Sequence, residues 1–234
     1  MKVKHAFKII FSWVFIKVKA GPLAGKKWII TSGAKYILGT QEVYKTEAFI
    51  KNFTKGEVLY DIGAHVGYFS AIAASINNGS GGIYAFEPRP MNARFFRIHM
   101  KANHFKNVTL FEAAVGDSEK DVRFDPGHGS ATGHVSLKGR LKVKQVSIDK
   151  MLKEGKIPSP DFIKIDVEGG EIDVLKGLVE VISVHHPKIL VATHNQECHN
   201  FVLDFLRRNN YTLEVLNPCS FKGDTEIIAL PDGR

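Results

Sequence analysis

Apolar positions along the chain alternate between short unbroken runs and stripes at helical spacing. Val58–Ile62 is an apolar run bounded by Lys55-Gly56 before and glycines after, as a buried parallel strand reads. Phe69, Ile72, Ala73 and Ile76 then recur at helical spacing, and predict a helix to Asn77. The same alternation continues with strands at Ile83–Phe86, Val108–Ala114, Phe162–Ile165 and Ile189–Ala192. Helices are expected over Val43–Phe53, Asn92–Asn103, Glu171–Val181 and Asn200–Asn209. Tyr211–Leu216 and Glu226–Leu230 follow with no helix between them, so they should pair antiparallel. Repeated strand–helix units imply an α/β fold with a parallel sheet covered on both faces.

Two stretches break the rhythm. Gly116 to Pro160 reads as an insertion, with a hairpin of Val122–Phe124 against Leu141–Val146 around a loop rich in glycine and histidine. At the start, Phe7, Ile10, Phe11, Val14 and Val18 recur at helical spacing among lysines, so residues 1–20 are expected to form an amphipathic helix. Its apolar run is far shorter than the ~20 residues that span a bilayer. Lys17 and Lys19 stand where a signal peptide would need small uncharged residues. Two readings stay open: peripheral contact with a membrane surface, or packing on the domain or a second copy in a homo-oligomer. Gly21 to Thr46 reads as a lid or short hairpin, which makes residues 1–45 an arm and 46–234 the main domain.

Charge sharpens this division. The net charge is +8, and residues 1–41 hold eight lysines and no acid, leaving 24 basic and 24 acidic residues in the rest. A neutral body argues against a nucleic-acid partner. The two cysteines, Cys198 and Cys219, fit a reducing, cytoplasmic setting.

Candidate chemistry gathers at predicted strand ends. After the first strand the chain reads Asp61-Ile62-Gly63-Ala64-His65-Val66-Gly67-Tyr68-Phe69. Glycines there let a backbone approach a ligand, next to the free N–H groups of a helix start. The spacing lacks the second glycine of a dinucleotide fingerprint, and an acid just before the turn suits a cationic ligand better than a pyrophosphate. Glu87 ends the second strand beside Pro88, where a carboxylate can accept from both hydroxyls of a ribose. Asp166 ends the fourth strand, with Glu168 in the turn and Glu171 opening a helix. His194 ends the fifth and is a candidate general base. Two acids could hold a divalent ion, yet no Cys/His spacing fits zinc, and the reading is of a site without metal.

Together these residues resemble the FkbM family of S-adenosylmethionine-dependent methyltransferases. The resemblance rests on Asp61–Ser70, with His65 where Asn is commoner, on Phe86-Glu87-Pro88, and on Phe162 to Gly177 with its lead-in Val146-Ser147-Ile148-Asp149. One departure is Ala192, where the family often has Glu. The resemblance implies a Rossmann-like class I methyltransferase fold: a seven-stranded, mostly parallel sheet with helices on both faces and an antiparallel last strand. It implies S-adenosylmethionine as cofactor and O-methylation of a hydroxyl on a sugar, lipid or secondary metabolite. It also implies roles. Asp61 would bind the methionine end of the cofactor, Glu87 the ribose, and Ala114 and Val115 the adenine, with Gly63, Ala64, His65, Gly67, Tyr68, Phe69 and Pro88 completing the cofactor site. Asp166, Glu168 and His194 would face the acceptor, with Asp166 also near the cofactor. The alternatives are a non-catalytic cofactor-binding or membrane-associated module and an NAD-dependent oxidoreductase.

Overall fold

The computed structural model describes residues 14–127, 132–217 and 224–233. Its centre is a seven-stranded sheet. Five parallel strands, β3 (Leu59–Ile62), β4 (Ile83–Phe86), β5 (Val108–Phe111), β10 (Phe162–Ile165) and β11 (Lys188–His194), are joined by β12 (Tyr211–Val215) and β13 (Asp224–Pro231). The order is β12-β13-β11-β10-β3-β4-β5, and β13 runs antiparallel to both of its neighbours. This is the seven-stranded, mostly parallel Rossmann-like architecture that the sequence leads one to expect. Chain direction reverses its march between β3 and β10, so the carboxyl ends of those two strands form the switch point where ligands bind in open α/β sheets.

Side chains alternate between two buried faces. Leu59 and Phe162 join one core with Phe49, Phe69 and Phe96, while Tyr60, Ile62, Ile163 and Ile165 join the other with Leu175, Val202 and Ile227. Both faces being buried explains why these strands read as continuous apolar runs. The helices that cover them are α2 (Val43–Asn52), α3 (Tyr68–Asn77), α4 (Pro90–Ala102), α6 (Glu171–Lys176), α7 (Val179–His185) and α8 (Gln196–Arg208), with the short α1 (Ala34–Leu38) and α5 (Ile148–Lys153) at the edges.

Three expectations are corrected. The predicted Val108–Ala114 strand divides into β5 and β6 (Ala113–Val115), and β6 pairs instead with β9 (Leu141–Val146) of the insertion. The insertion sheet also contains β7 (Lys120–Asp125) and β8 (His134–Val135), with β7 and β9 paired antiparallel as expected. The predicted Glu171–Val181 helix is two helices split at Gly177, where a Cβ would lie 2.1 Å from the Gly116 carbonyl oxygen. Finally, the predicted helix over 1–20 does not extend through Phe15–Lys17. That segment is strand β1, paired antiparallel with β2 (Lys27–Ile29). Residues 1–13 of that expectation, residues 128–131 of the insertion loop and Cys219 lie outside the described residues. Val18, Leu23, Trp28, Ile29 and Ile37 are buried in the same core as Leu59 and Phe69, because Trp28 stacks on His99 of α4 at 3.7 Å between ring centres. Among the described residues no helix is long and apolar enough to cross a membrane.

Candidate active site

A cavity of about 610 Å³ opens over the carboxyl ends of β3, β4, β10 and β11. Gly63 sets its floor. The residue has φ +75°, and a Cβ there would sit 1.8 Å from the Asp166 carbonyl oxygen. Only glycine lets the ends of β3 and β10 approach so closely. His65 follows with φ 51° and Glu168 lies at φ 57°, while Glu42, before α2, has φ 43°. All three line the cavity, and left-handed backbone at non-glycine residues tends to concentrate at functional sites.

Along one wall, Glu87 is buried. Its carboxylate accepts from the His65 and Arg89 backbone N–H groups, each at 2.8 Å, and from the Asn92 amide at 3.3 Å. Burial pushes its pKa up to about 7, against the pull of those hydrogen bonds. Ala114, Val115, Phe86 and Pro88 give this end an apolar lining, and Gln145 and Val135 of the insertion sheet join them. His65 is held from the other side, its Nδ1 3.0 Å from the Tyr36 hydroxyl of α1.

The opposite end is a network of charges. Lys45 of α2, buried, lies 2.8 Å from Asp166 Oδ2, 2.9 Å from Glu42 and 3.2 Å from Glu226. Burial works against its charge, but the three carboxylates outweigh burial and raise its pKa. Asp166 is tuned conversely. Burial favours its neutral form, and Lys45, Lys164 and His194 hold it below the usual carboxylate range. His194 sits among acids. Its Nδ1–H donates to buried Glu171 at 2.6 Å, and its Nε2 lies 3.5 Å from Asp166 Oδ1 and 3.8 Å from Glu168 Oε1. Burial opposes the imidazolium, yet Glu171, Asp166 and Glu168 overcome it and take the pKa up to about 9.

Most of the sequence-derived candidates therefore converge. Gly63, Ala64, His65, Tyr68, Phe69, Glu87, Pro88, Ala114, Val115, Asp166, Glu168 and His194 all line the one cavity. Asp61 and Gly67 do not. Asp61 is fully buried beneath the floor, accepting from the Ser70 N–H at 3.1 Å and its hydroxyl at 2.7 Å, with Lys164 Nζ 3.3 Å away. Asp61 and Lys164 are cross-strand neighbours, and the ammonium also donates to the Gly63 carbonyl at 2.7 Å. The pair thus pins the glycine turn and the start of α3. Gly67 is needed at that start because a Cβ would lie 2.8 Å from Phe96 and Met100.

Sequence reasoning missed Tyr36, Glu42, Lys45, Lys164 and Glu226. Lys164 carried a signal: a lysine inside an apolar strand run calls for a buried acid opposite it. Lys45 carried none, since Asp166 is 121 residues away along the chain. Glu226 of β13 stands in register beside Ala192, so an acid enters next to that departure from the neighbouring strand.

The chemistry of the donors decides what the cavity can hold. Asp166, Glu168 and His194 offer ligand atoms all within 4.8 Å of one another, close enough for a divalent ion. Asp166, however, already faces the Lys45 ammonium, and His194 itself carries the compensating charge. S-adenosylmethionine fits better: the glycine floor admits a ligand against the backbone, Glu87 can accept from ribose hydroxyls, and the acids suit a cationic methionine end.

Comparison with known proteins agrees with this geometry. Residues 61–213 match the Methyltransferase FkbM domain. Hexuronic acid methyltransferase AglP of Haloferax volcanii is 29% identical over 147 residues, covering 62% of this chain, and the match spans 58% of that relative's length. Two solved structures share the fold. Methyltransferase FkbM of Methylobacillus flagellatus has a TM-score of 0.58 at 21% identity, covering 80% of this chain and 47% of that one. A precorrin-6y C5,15-methyltransferase of Geobacter metallireducens has a TM-score of 0.56 at 20% identity, covering 85% and 92%. With its glycine floor, its buried Glu87 carboxylate and this match over most of its length, the chain belongs to the FkbM family of S-adenosylmethionine-dependent methyltransferases.

Proposed function

We propose that the protein transfers a methyl group to a hydroxyl of a sugar, free or lipid-linked. The observation that carries this reading is His194: its Nδ1 is fixed by buried Glu171, and its Nε2 is turned toward Asp166 and Glu168 at the cavity. The fixed tautomer leaves Nε2 as the atom that can take a proton. Bound in the cavity, S-adenosylmethionine supplies an electrophilic methyl group on a cationic sulfur. Glu87 holds the ribose, and Gly63 and Ala64 present their backbone to the cofactor. Asp166 and Glu168 accept from acceptor hydroxyls and fix the attacking oxygen, an alignment worth several kcal/mol. His194 removes the hydroxyl proton as the bond to carbon forms, and Glu171 stabilises the imidazolium that results. The sugar class is favoured by this carboxylate lining and by the similarity to a hexuronic acid methyltransferase.

The pH dependence tests the base. Because the His194 pKa is raised from 6.5 to about 9, the ring is protonated at neutral pH and cannot accept. The value of kcat/KM for the acceptor should therefore rise about tenfold per pH unit and level off no higher than about pH 9. EDTA should leave the profile unchanged. A flat profile would remove His194 as base, and activity that vanished with EDTA would show a divalent ion at Asp166, Glu168 and His194. The same shift has a stability sign. The folded-state pKa lies above the unfolded value, so stabilisation is full below about pH 6.5 and is lost as pH rises through about 9.

Glu87→Gln tests the ribose contact. The amide keeps one acceptor oxygen but turns an N–H toward the His65 or Arg89 donor. Loss of charge-assisted bonds should weaken cofactor binding by about 2–3 kcal/mol, or roughly 30- to 160-fold. Calorimetric titration with S-adenosylmethionine measures this, with circular dichroism to establish folding. Unchanged affinity in a folded variant would remove the ribose assignment. Wild-type affinity should also fall below about pH 7, where burial leaves Glu87 protonated.

A further inference from the structure

Among the described residues, the charges at the acceptor end do not balance. Six carboxylates, Glu42, Asp61, Asp166, Glu168, Glu171 and Glu226, are linked by contacts of 3.9 Å or less to three cationic groups, Lys45, Lys164 and His194. With His194 protonated the cluster carries three negative charges in excess, and it gains another when His194 gives up its proton to serve as base. A cofactor with one net positive charge offsets only part of this. The remaining field lies in a largely buried pocket, where charges are poorly screened.

We propose that the acceptor pocket takes a sugar hydroxyl on an uncharged ring and rejects the corresponding uronate. This rests on the sugar reading above. The decisive residues are Glu42 and Glu226. Asp166 and Lys45 alone would make a neutral pair, but Glu42 and Glu226 add two carboxylates to the same ammonium, at 2.9 and 3.2 Å. Burial raises the Glu226 pKa, and Lys45 only partly offsets this, which marks the region as one that resists more negative charge. A neutral ring meets these oxygens as a donor through its hydroxyls. A uronate brings a like charge to them and can donate nothing from its carboxylate. Such like-charge opposition is how a site discriminates between isosteric ligands. The chain would then differ in acceptor charge from its hexuronic acid relative while sharing its reaction.

The test compares methyl glucoside, methyl glucosaminide and methyl glucuronide as acceptors, with S-adenosylmethionine radiolabelled in the methyl group. The glucoside should be favoured over the glucuronide by about 100-fold or more in kcat/KM, and the cationic glucosaminide should be accepted. In a Glu42→Gln, Glu226→Gln double variant, Lys45 keeps only Asp166, and the ratio should narrow by at least about tenfold. Melting temperature establishes that the variant is folded. Glucuronide used as well as glucoside by the wild-type protein would overturn the proposal. A wild-type preference that the double variant leaves unchanged would overturn the role of Glu42 and Glu226. Methylation of none of the three by protein that binds the cofactor would remove the sugar reading, and this inference with it.

Discussion

Replacing His194 by Gln should lower kcat by about 10²- to 10⁴-fold while leaving S-adenosylmethionine affinity within about a factor of two. Methyl transfer to an alcohol needs the proton removed as the new bond forms, because an alcohol is barely ionised at neutral pH. His194 is the imidazole whose Nε2 faces Asp166 and Glu168 at the cavity, and Glu171 fixes its other nitrogen. Glutamine keeps an N–H for Glu171, so the buried carboxylate retains a donor and the fold should hold. The cofactor contacts assigned to Glu87 and Gly63 lie just beyond the ends of β4 and β3, away from the substituted strand end. Single-turnover rates with saturating acceptor, alongside calorimetric cofactor binding, measure the split. Full turnover would show that Asp166, Glu168 or water takes the proton.

Gly63→Ala should be the most damaging glycine-to-alanine change among the described residues. The added methyl would lie 1.8 Å from the Asp166 carbonyl oxygen, and the backbone at φ +75° already disfavours a Cβ. Neither strand can yield easily. Asp166 N–H donates to Ile62 O at 3.0 Å, and Gly63 N–H donates to Phe86 O at 3.0 Å. Left-handed strain of about 1–2 kcal/mol and overpacking of about 1–3 kcal/mol add to roughly 2–5 kcal/mol. For a domain of this size that lowers the melting temperature by about 5–15 °C. Gly79→Ala is the control: it has φ +94° but nothing within 4 Å, so it isolates strain from the close approach. Equal melting temperatures for the two variants would show that the β3–β10 junction tolerates expansion. Cofactor binding should be lost in Gly63→Ala alone.

Sequence alone determined the order of strands and helices, because strands buried on both faces must be apolar throughout and glycines must punctuate the turns. It located Gly63, Glu87, Asp166, Glu168 and His194, since each stands at the end of an apolar run and such ends meet at one edge of a parallel sheet. Asp61 shows what the same logic leaves open. Position in the motif indicated an acid near the ligand, but only the structure shows it turned inward, to Ser70 and Lys164. Periodicity overreached in the first twenty residues. Helical spacing of Val14 and Val18 could not reveal that Phe15–Lys17 pairs with Lys27–Ile29, a choice made by the core that buries Trp28 against His99. Tertiary structure alone assembled the charge cluster. Lys45 meets Asp166 across 121 residues, and Glu226 reaches the same ammonium from an antiparallel strand. No local pattern encodes such contacts, because a side chain's protonation and partners depend on burial and neighbouring charge, which exist only once the sheet has closed over them.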